Sequence, residues 1–165
     1  MNLNIETENT VRSTKKKKVK GSDFLITINS NKSVNCDDKC TVDRIEQIKE
    51  TTEELAKNLF SKENIPKLLV VYKNKQRVPL TTFSDIRDIK SKSVVEIGPN
   101  RGFIHIHAYI RVIHTTNIQI NTPMLKKVAN VIFRDVLTIN GVYKKPYVSV
   151  KGVASSAVNF EAYVS

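Results

Sequence analysis

The sequence contains few of the residues that build metal-thiolate and disulfide frameworks, with two cysteines and three histidines among 165 residues. Cys36 and Cys40 are separated by three residues and no second cysteine pair follows, so we expect two reduced thiols and no zinc site. No apolar run approaches the roughly 20 residues that a bilayer-spanning helix needs. The amino terminus is polar. The sequence therefore predicts neither a transmembrane segment nor a secretory signal.

Tryptophan is absent, and 40% of the residues are hydrophobic, which is enough for one domain with a modest core. Acidic residues are outnumbered: 16 Asp and Glu stand against 27 Lys and Arg, which gives a net charge of +11. Such a balance favours an anionic partner, and nucleic acid is the usual one. A membrane surface is disfavoured because no predicted helix is basic on one face and apolar on the other.

Residues 1–22 differ in composition from the rest of the chain. They are mostly polar and include the lysine-rich run from Lys15 to Lys20. We therefore predict a disordered basic tail, followed by a folded domain over residues 23–165. The run is typical of a solubilising tail, of a phosphate contact or of a nuclear import signal. An import signal would place the protein in the nucleus; otherwise we expect it to be intracellular.

The folded part alternates between two-residue and helical periodicity, which predicts both strands and helices. The predicted strands cover residues 24–29, 68–72, 93–98, 103–112 and 146–153. Residues 79–92 are predicted as a loop with a helical turn at 84–89. The fold class is therefore α+β: a central, mainly antiparallel and partly mixed sheet of four to six strands with helices packed on it.

Two helices precede the carboxyl end in this prediction. Thr41 caps the first, which runs to about Phe60, and Thr122 caps the second, which begins at Pro123. The apolar side chains at helical spacing are expected to face the core. They are Val42, Ile45, Ile48, Leu55, Leu59 and Phe60 in the first helix, and Met124, Val128, Val131 and Ile132 in the second.

The strand over 103–112 alternates almost without exception between apolar and polar residues. Its polar face is predicted to carry His105, His107, Tyr109 and Arg111. Two imidazoles side by side on a rigid strand supply half of a divalent-metal site. The alternative is a solvent-facing strand with two ordinary histidines.

A hairpin register decides whether a carboxylate can join these histidines. If residues 99–102 form a four-residue loop, Glu96 lies opposite His105 on the same side of the sheet, whereas an odd loop would turn Glu96 away. One carboxylate with His105 and His107 suits Mg²⁺ or Mn²⁺ with positions open for a phosphate. Glu96 is otherwise a surface strand carboxylate.

The carboxyl end supplies a candidate nucleophile. Ser155 and Ser156 open a helical stretch in which Tyr163 shares a face with Asn159. A tyrosine on such a helix is either a packing residue or, beside a metal site, a nucleophile.

Three motifs in this order resemble the HUH endonuclease superfamily, most closely the replication initiator (Rep) domains of small circular single-stranded DNA viruses such as circoviruses and geminiviruses. The first motif, a strand, resembles Ile26 to Asn31; the second resembles Glu96 with His105 and His107. The third resembles Tyr163, and its lysine would come one residue after Ser165. The resemblance covers residues 23–165. We expect weak cleavage from this chain and more from a chain extended by that lysine.

The resemblance implies sequence-specific nicking and joining of single-stranded DNA at an origin stem-loop. Attack by Tyr163 would give a 5′-phosphotyrosine and a free 3′-hydroxyl that primes rolling-circle replication, and any nuclear import would be into the host nucleus. A helicase domain follows in many viral initiators; a helicase domain in cis and a homo-oligomer of the full-length protein both stay open. Each candidate DNA-contacting side chain could equally be an ordinary surface group. The candidates are Thr27, Asn29, Asn31, Lys73, Lys75, Arg77, Arg101, Arg111, Lys144 and Lys145.

Two other interpretations share the same residues. A non-catalytic module would bind single-stranded DNA or RNA on an open sheet with Phe103, Tyr109 and Tyr147 as stacking platforms. A single-tyrosine HUH transposase or relaxase would share the site and differ in its partners. Metal-dependent cleavage separates the binding module from the two enzymes.

Overall fold

The computed structural model describes residues 19–34, 41–73, 76–79, 86–98, 102–115 and 117–153. Tyr163, Lys75, Arg101 and the lysines from Lys15 to Lys18 lie outside these ranges, as do both cysteines. The elements, in chain order, are β1 (Lys20–Asn29), α1 (Val42–Leu59), a 3₁₀ turn (Ile65–Leu68), β2 (Leu69–Lys73), β3 (Gln76–Pro79), β4 (Ile86–Ile97), β5 (Ile104–His114), β6 (Ile118–Ile120), α2 (Thr122–Ile132), β7 (Thr138–Ile139), β8 (Val142–Tyr143) and β9 (Tyr147–Val153).

The main sheet has four strands in the order β4-β5-β1-β9, and every neighbouring pair is antiparallel. Strands β3, β2 and β6 form a smaller antiparallel sheet, and β7 pairs with β8. The predicted α+β class with a mainly antiparallel sheet is thus confirmed. None of the helices in the described part of the chain is both long and apolar enough to cross a membrane.

One face of the main sheet carries the hydrophobic core, and α1 packs on this side against β4. Thr41 caps α1 as predicted, because its Oγ1 accepts the backbone N–H of Arg44 at 3.1 Å. The hydroxyl of Ser91 in β4 donates to the carbonyl of Phe60 at 2.6 Å, which ties the end of α1 to the sheet. The prediction for Val42 is wrong: this side chain is exposed, since the buried stripe runs through Ile48, Thr52, Ala56 and Leu59.

The start and the buried face of α2 differ from the prediction. Asn121 is the N-cap, with its Oδ1 accepting the N–H of Met124 at 3.2 Å, and Thr122 is already helical. The helix buries Leu125 and Ala129, which are four residues apart on one face. Because this face packs on the core, Val131 and Met124 point outward. Both side chains are exposed, whereas the sequence predicted that they face the core.

The first half of strand β4 lies where a loop was predicted. Residues 86–92 continue the pairing with β5 past a register shift between Ile86 and Asp88, where we expected a helical turn. Charged side chains on the outer face hide the alternation, as is common on edge strands. Strand β1 also begins at Lys20, three residues before the predicted domain boundary, so residues 20–22 belong to the sheet instead of the tail.

A buried ion pair joins β1 to β5 on the face away from the core. Asp23 lies opposite Arg111 in the register, and its side chain is completely buried. Arg111 donates from Nε to Oδ1 at 2.7 Å and from Nη2 to Oδ2 at 3.0 Å. Burial alone raises the pKa of the Asp23 carboxyl, but the hydrogen bonds and charge of Arg111, together with the neighbouring Tyr109 hydroxyl, outweigh it and lower the pKa.

Removing the carboxylate is expected to destabilise the fold strongly. Asp23→Ala leaves the mostly buried Arg111 cation without its partner, which costs about 3–5 kcal/mol in the free energy of unfolding. Urea unfolding at pH 7 measures this loss. Asp88→Ala is the matched control, because the 4.0 Å Asp88–Lys62 pair is exposed and contributes about 0–1 kcal/mol. Equal losses in the two variants would contradict a stabilising role for the buried pair.

The Asp23–Arg111 pair also determines how the stability of the fold changes at acid pH. Because the folded-state pKa of Asp23 is lowered from 3.8, its contribution is complete above that pH. The contribution declines as the pH falls through 3.8 and is lost below the folded-state pKa. Relative to Asp23→Ala, the wild type should therefore lose its advantage on acidification.

Candidate functional site

The face of the main sheet opposite the core presents four rows of four residues, which we call the site face. Residues paired across neighbouring strands point to the same side, so each row runs from β4 through β5 and β1 to β9. Row one is Glu96, His105, Asn29 and Tyr147; row two is Val94, His107, Thr27 and Ser149; row three is Lys92, Tyr109, Leu25 and Lys151; row four is Lys90, Arg111, Asp23 and, as a backbone register position, Val153.

The predicted hairpin register is confirmed in row one. Glu96 pairs with His105, and Gly98 donates its N–H to the carbonyl of Phe103 at 3.0 Å. The even loop length keeps the carboxylate on the histidine side of the sheet. The two predicted histidines and the predicted carboxylate therefore share one end of the site face.

The two imidazoles form a parallel, partly exposed pair. The ring centroids of His105 and His107 are 6.2 Å apart, and the ring planes differ by 15°. Glu96 approaches the second histidine diagonally, with its Oε2 4.0 Å from Nε2 of His107. Its side chain is 67% exposed and so has room to change rotamer.

A hydrogen bond fixes the orientation of His105. Its Nδ1 lies 2.7 Å from Oδ1 of Asn29, the neighbour in row one. An amide oxygen only accepts, so the neutral form of this imidazole carries its proton on Nδ1 and its lone pair on Nε2. Metal-ligating histidines are commonly held in this way through the second ring nitrogen. Asn29, predicted as a DNA contact, thus has its amide oxygen committed to the histidine.

The donor set of this end fits a divalent cation in chemical type. Nε2 of His105, an imidazole nitrogen of His107 and the Glu96 carboxylate would hold it. In the described ranges, no three His, Cys, Asp or Glu side chains lie close enough to hold an ion in their present positions. The exposed Glu96 side chain has room to change rotamer toward the two imidazoles.

The opposite end of the site face is closed and corrects two expectations. Tyr109 is 0% exposed instead of solvent-facing, which removes it as a stacking platform. Burial, followed by the neighbouring Asp23 carboxylate, raises the pKa of the Tyr109 phenol to about 12. Arg111, predicted as a DNA contact, donates twice to the buried Asp23 carboxylate, so its guanidinium already holds a structural ion pair.

The remaining predicted DNA contacts divide between the site face and other surfaces. Thr27 lies half-buried in row two, beside His107. Asn31 donates from Nδ2 to the carbonyl of Lys145, and Lys144 and Lys145 are exposed just before β9. Lys73 and Arg77 belong to the β2–β3 hairpin of the smaller sheet, so strand pairing does not bring them to the site face.

Three lysines of the site face were not predicted as contacts. Lys90 and Lys92 are on β4, and Lys151 is on β9, so they flank the two central strands. The signal for the first two was the alternation of Ile89, Ser91 and Ser93 with charged residues, which becomes readable only once residues 86–97 are taken as a strand. Lys151 was visible as a polar position of the last predicted strand.

Comparison with known proteins adds no assignment for this chain. No protein-family model matches the sequence, and no curated protein matches it either. The site face is therefore the basis on which its chemistry has to be inferred.

Loss of the side-chain amide oxygen of Asn29 should weaken metal binding. Asn29→Ala removes the acceptor that holds the His105 tautomer, so Mn²⁺ affinity should fall about 10–100-fold. Asn29→Asp keeps an acceptor at the same position and should restore most of it. Isothermal titration with Mn²⁺ at neutral pH, without DNA, measures both.

Asn31→Ala is the matched control, because Asn31 bonds to the Lys145 carbonyl and not to a histidine. It should bind Mn²⁺ like the wild type. If Asn29→Ala also does so, the hydrogen bond has no role in orienting a ligand.

Proposed function

We propose that this chain is a metal-dependent nickase and strand transferase for single-stranded DNA, of the HUH replication-initiator type. It would cut and rejoin an origin stem-loop through Tyr163 and so initiate rolling-circle replication. The observation that carries the proposal is row one, in which Glu96 and His105 are paired in register and Asn29 leaves Nε2 of His105 available. Mg²⁺ or Mn²⁺ is the proposed cofactor.

The reaction is a transesterification at phosphorus. The phenolic oxygen of Tyr163 forms a bond to the phosphorus, and the bond to the 3′ oxygen breaks, leaving a 5′-phosphotyrosine and a 3′-hydroxyl. The phenol's proton is released and the departing 3′ oxygen gains one. A 3′-hydroxyl attacking the phosphotyrosine reverses these changes and rejoins the strand. A bound divalent cation would supply charge neutralisation at the scissile phosphate.

The described tyrosines give reasons for assigning the nucleophile to Tyr163. Tyr109 is buried and its phenol has a raised pKa. The Tyr143 hydroxyl donates to Oδ1 of Asn130 at 2.6 Å, and its ring is covered by the Arg134 guanidinium at 4.5 Å. Tyr72 belongs to the smaller sheet. Tyr147 is the real competitor, because it is exposed in row one.

Charge and shape favour single-stranded DNA as the substrate. Lys90 and Lys92 border the site face on β4, and Lys151 borders it on β9, with Lys144 and Lys145 just before that strand. Lys92 and Lys151 lie in row three and Lys90 in row four, whereas Lys144 and Lys145 lie next to row one. These cations would contact phosphates along the face. Clamping one phosphate between a sheet-borne site and a separate tyrosine suits an unpaired strand or hairpin loop better than a regular duplex.

The binding-module alternative gains support from one residue. Exposed Tyr147 is suited to stacking, but the burial of Tyr109 removes one of the three platforms on which that interpretation depended. The ordered His105 tautomer is unexplained by binding alone. An HUH transposase or relaxase would use the same site with different DNA.

Loss of the second histidine should abolish covalent chemistry. His107→Ala removes a proposed metal ligand but no core group, because β5 faces the core with Ile106 and Ala108. Incubation with Mn²⁺ and a labelled stem-loop, followed by denaturing electrophoresis, should show an adduct for the wild type and none for the variant. Unchanged circular dichroism should confirm folding. Lys126→Ala, a control variant on the exposed side of α2, should still form the adduct. An adduct formed by His107→Ala would overturn the metal assignment.

The covalent link should map to Tyr163. Tyr163→Phe removes the hydroxyl and keeps the ring, so the adduct should disappear. Tyr147→Phe is the matched control and should retain it, since that phenol has no assigned role in bond formation. Mass spectrometry of the DNA-linked peptide identifies the residue. An adduct on Tyr147, or full yield from Tyr163→Phe, would show that the nucleophile is assigned incorrectly.

A further inference from the structure

Tyr147 is an exposed aromatic residue at the open end of the site face. The residue is 63% exposed, whereas Tyr109 is fully buried and Tyr143 is held by a hydrogen bond. It pairs in register with Asn29, which in turn bonds to His105. Neighbouring strands are about 4.8 Å apart, so its backbone lies about 10 Å from that of His105.

The segment that carries Tyr147 is fixed from its amino-terminal side. Asn31 donates to the carbonyl of Lys145, two residues before the tyrosine. In the adjacent loop, Lys32 donates from Nζ to the carbonyl of Ile139 at 3.2 Å, and Ser30 donates its backbone N–H to the carbonyl of Ile104 at 2.9 Å. These bonds tie the approach to β9 to the start of β5. The ring therefore projects from a braced strand end, which lowers the entropy cost of contact with a ligand.

Lysines lie on both sides of Tyr147 along the chain, in β9 and in the segment just before it. Lys144 and Lys145 precede Tyr147, and Lys151 follows it on the same face of β9. Strand β9 forms an edge of the main sheet in the described part of the chain. An exposed aromatic between cations is the arrangement with which proteins bind single strands, because the ring stacks on a base and the cations contact phosphates.

We propose that Tyr147 is a base-stacking platform for the nucleotide chain that flanks the scissile phosphate. Lys144 and Lys145 contact the backbone on one side of the stacked base, and Lys151 contacts it on the other. The nucleotide chain thus passes along the β9 edge before it reaches the histidine pair. The identity of the ligand as single-stranded DNA rests on the proposed function; the platform itself rests on Tyr147 and its lysines.

The test measures DNA binding without cleavage, in EDTA, by fluorescence anisotropy of a labelled stem-loop with thymidine arms. Tyr147→Ala should weaken binding about 5- to 150-fold, the range for loss of one base stack. Tyr147→Phe keeps the ring and should bind like the wild type. Val142→Ala removes another exposed apolar side chain and should have no effect.

Salt dependence separates stacking from charge. The slope of log affinity against log salt should be unchanged in Tyr147→Ala, because no charge is lost. In Lys145→Ala the slope should decrease in magnitude by about 0.7, as expected for one phosphate contact to a single strand. A single abasic site moved along the arm should weaken wild-type binding at one position and have no further effect there in Tyr147→Ala.

The outcomes distinguish the platform from the proposed function. If the wild type binds no single-stranded DNA and forms no adduct, both fail. If it binds and forms the adduct but Tyr147→Ala binds equally well, only the platform is overturned. Equal weakening by Tyr147→Ala and Tyr147→Phe would show that the hydroxyl, and not the ring, makes the contact, which also overturns stacking.

Discussion

The two-residue period of β5 is the constraint on which the rest of the structure depends. The core-facing residues of this strand are almost completely buried, and each isoleucine or valine side chain among them contributes about 1.5–3 kcal/mol by burial. They are Ile104, Ile106, Ala108, Ile110 and Val112. A slip of one residue would move this whole set to the outer face and bring the histidines into the core. The geometry of the histidine pair is therefore maintained by aliphatic packing on the other side of the sheet.

The site face has two ends with different electrostatic character. At one end, Asp23 neutralises the Arg111 guanidinium, and buried Tyr109 lies beside them. An anion gains little from a cation that already has a bidentate partner. At the other end, Glu96 and Tyr147 are exposed around the histidines. The closed end gives rigidity, and the open end gives access to the histidines.

Patterns in the sequence predicted those features that depend on residues close together in the chain. The Thr41 cap, the alternation of β5 and the loop that pairs Glu96 with His105 all depend on residues a few positions apart. The contacts that were missed or misassigned join residues far apart in the chain. Asn29 and His105 are 76 positions apart, and Asp23 and Arg111 are 88 apart. Only the pairing of β1 with β5 creates these neighbours, and periodicity within one segment carries no information about it.

Other errors arose where the hydrophobic pattern of a segment was masked or ambiguous. The first half of β4 was predicted as a loop because its outer face is rich in charged residues, and in α2 the apolar Val131 and Met124 were placed inward although both are exposed. Hydrophobicity alone does not identify the buried side when both sides of a helix carry apolar residues. In α2, Leu125 and Ala129 define it because they pack without remaining exposure.

The two edges of the main sheet meet the same problem in different ways. An open edge exposes unpaired backbone groups and invites pairing with another chain. Strand β4 counters this with charged residues such as Arg87, Lys90 and Lys92. Strand β9 is shorter, with seven residues, and combines Lys151 with exposed Tyr147. Both edges carry charged residues, which discourage such pairing, whereas an exposed aromatic ring does not serve that purpose. The proposed contact with a flat nucleic-acid base accounts for the exposure of the ring.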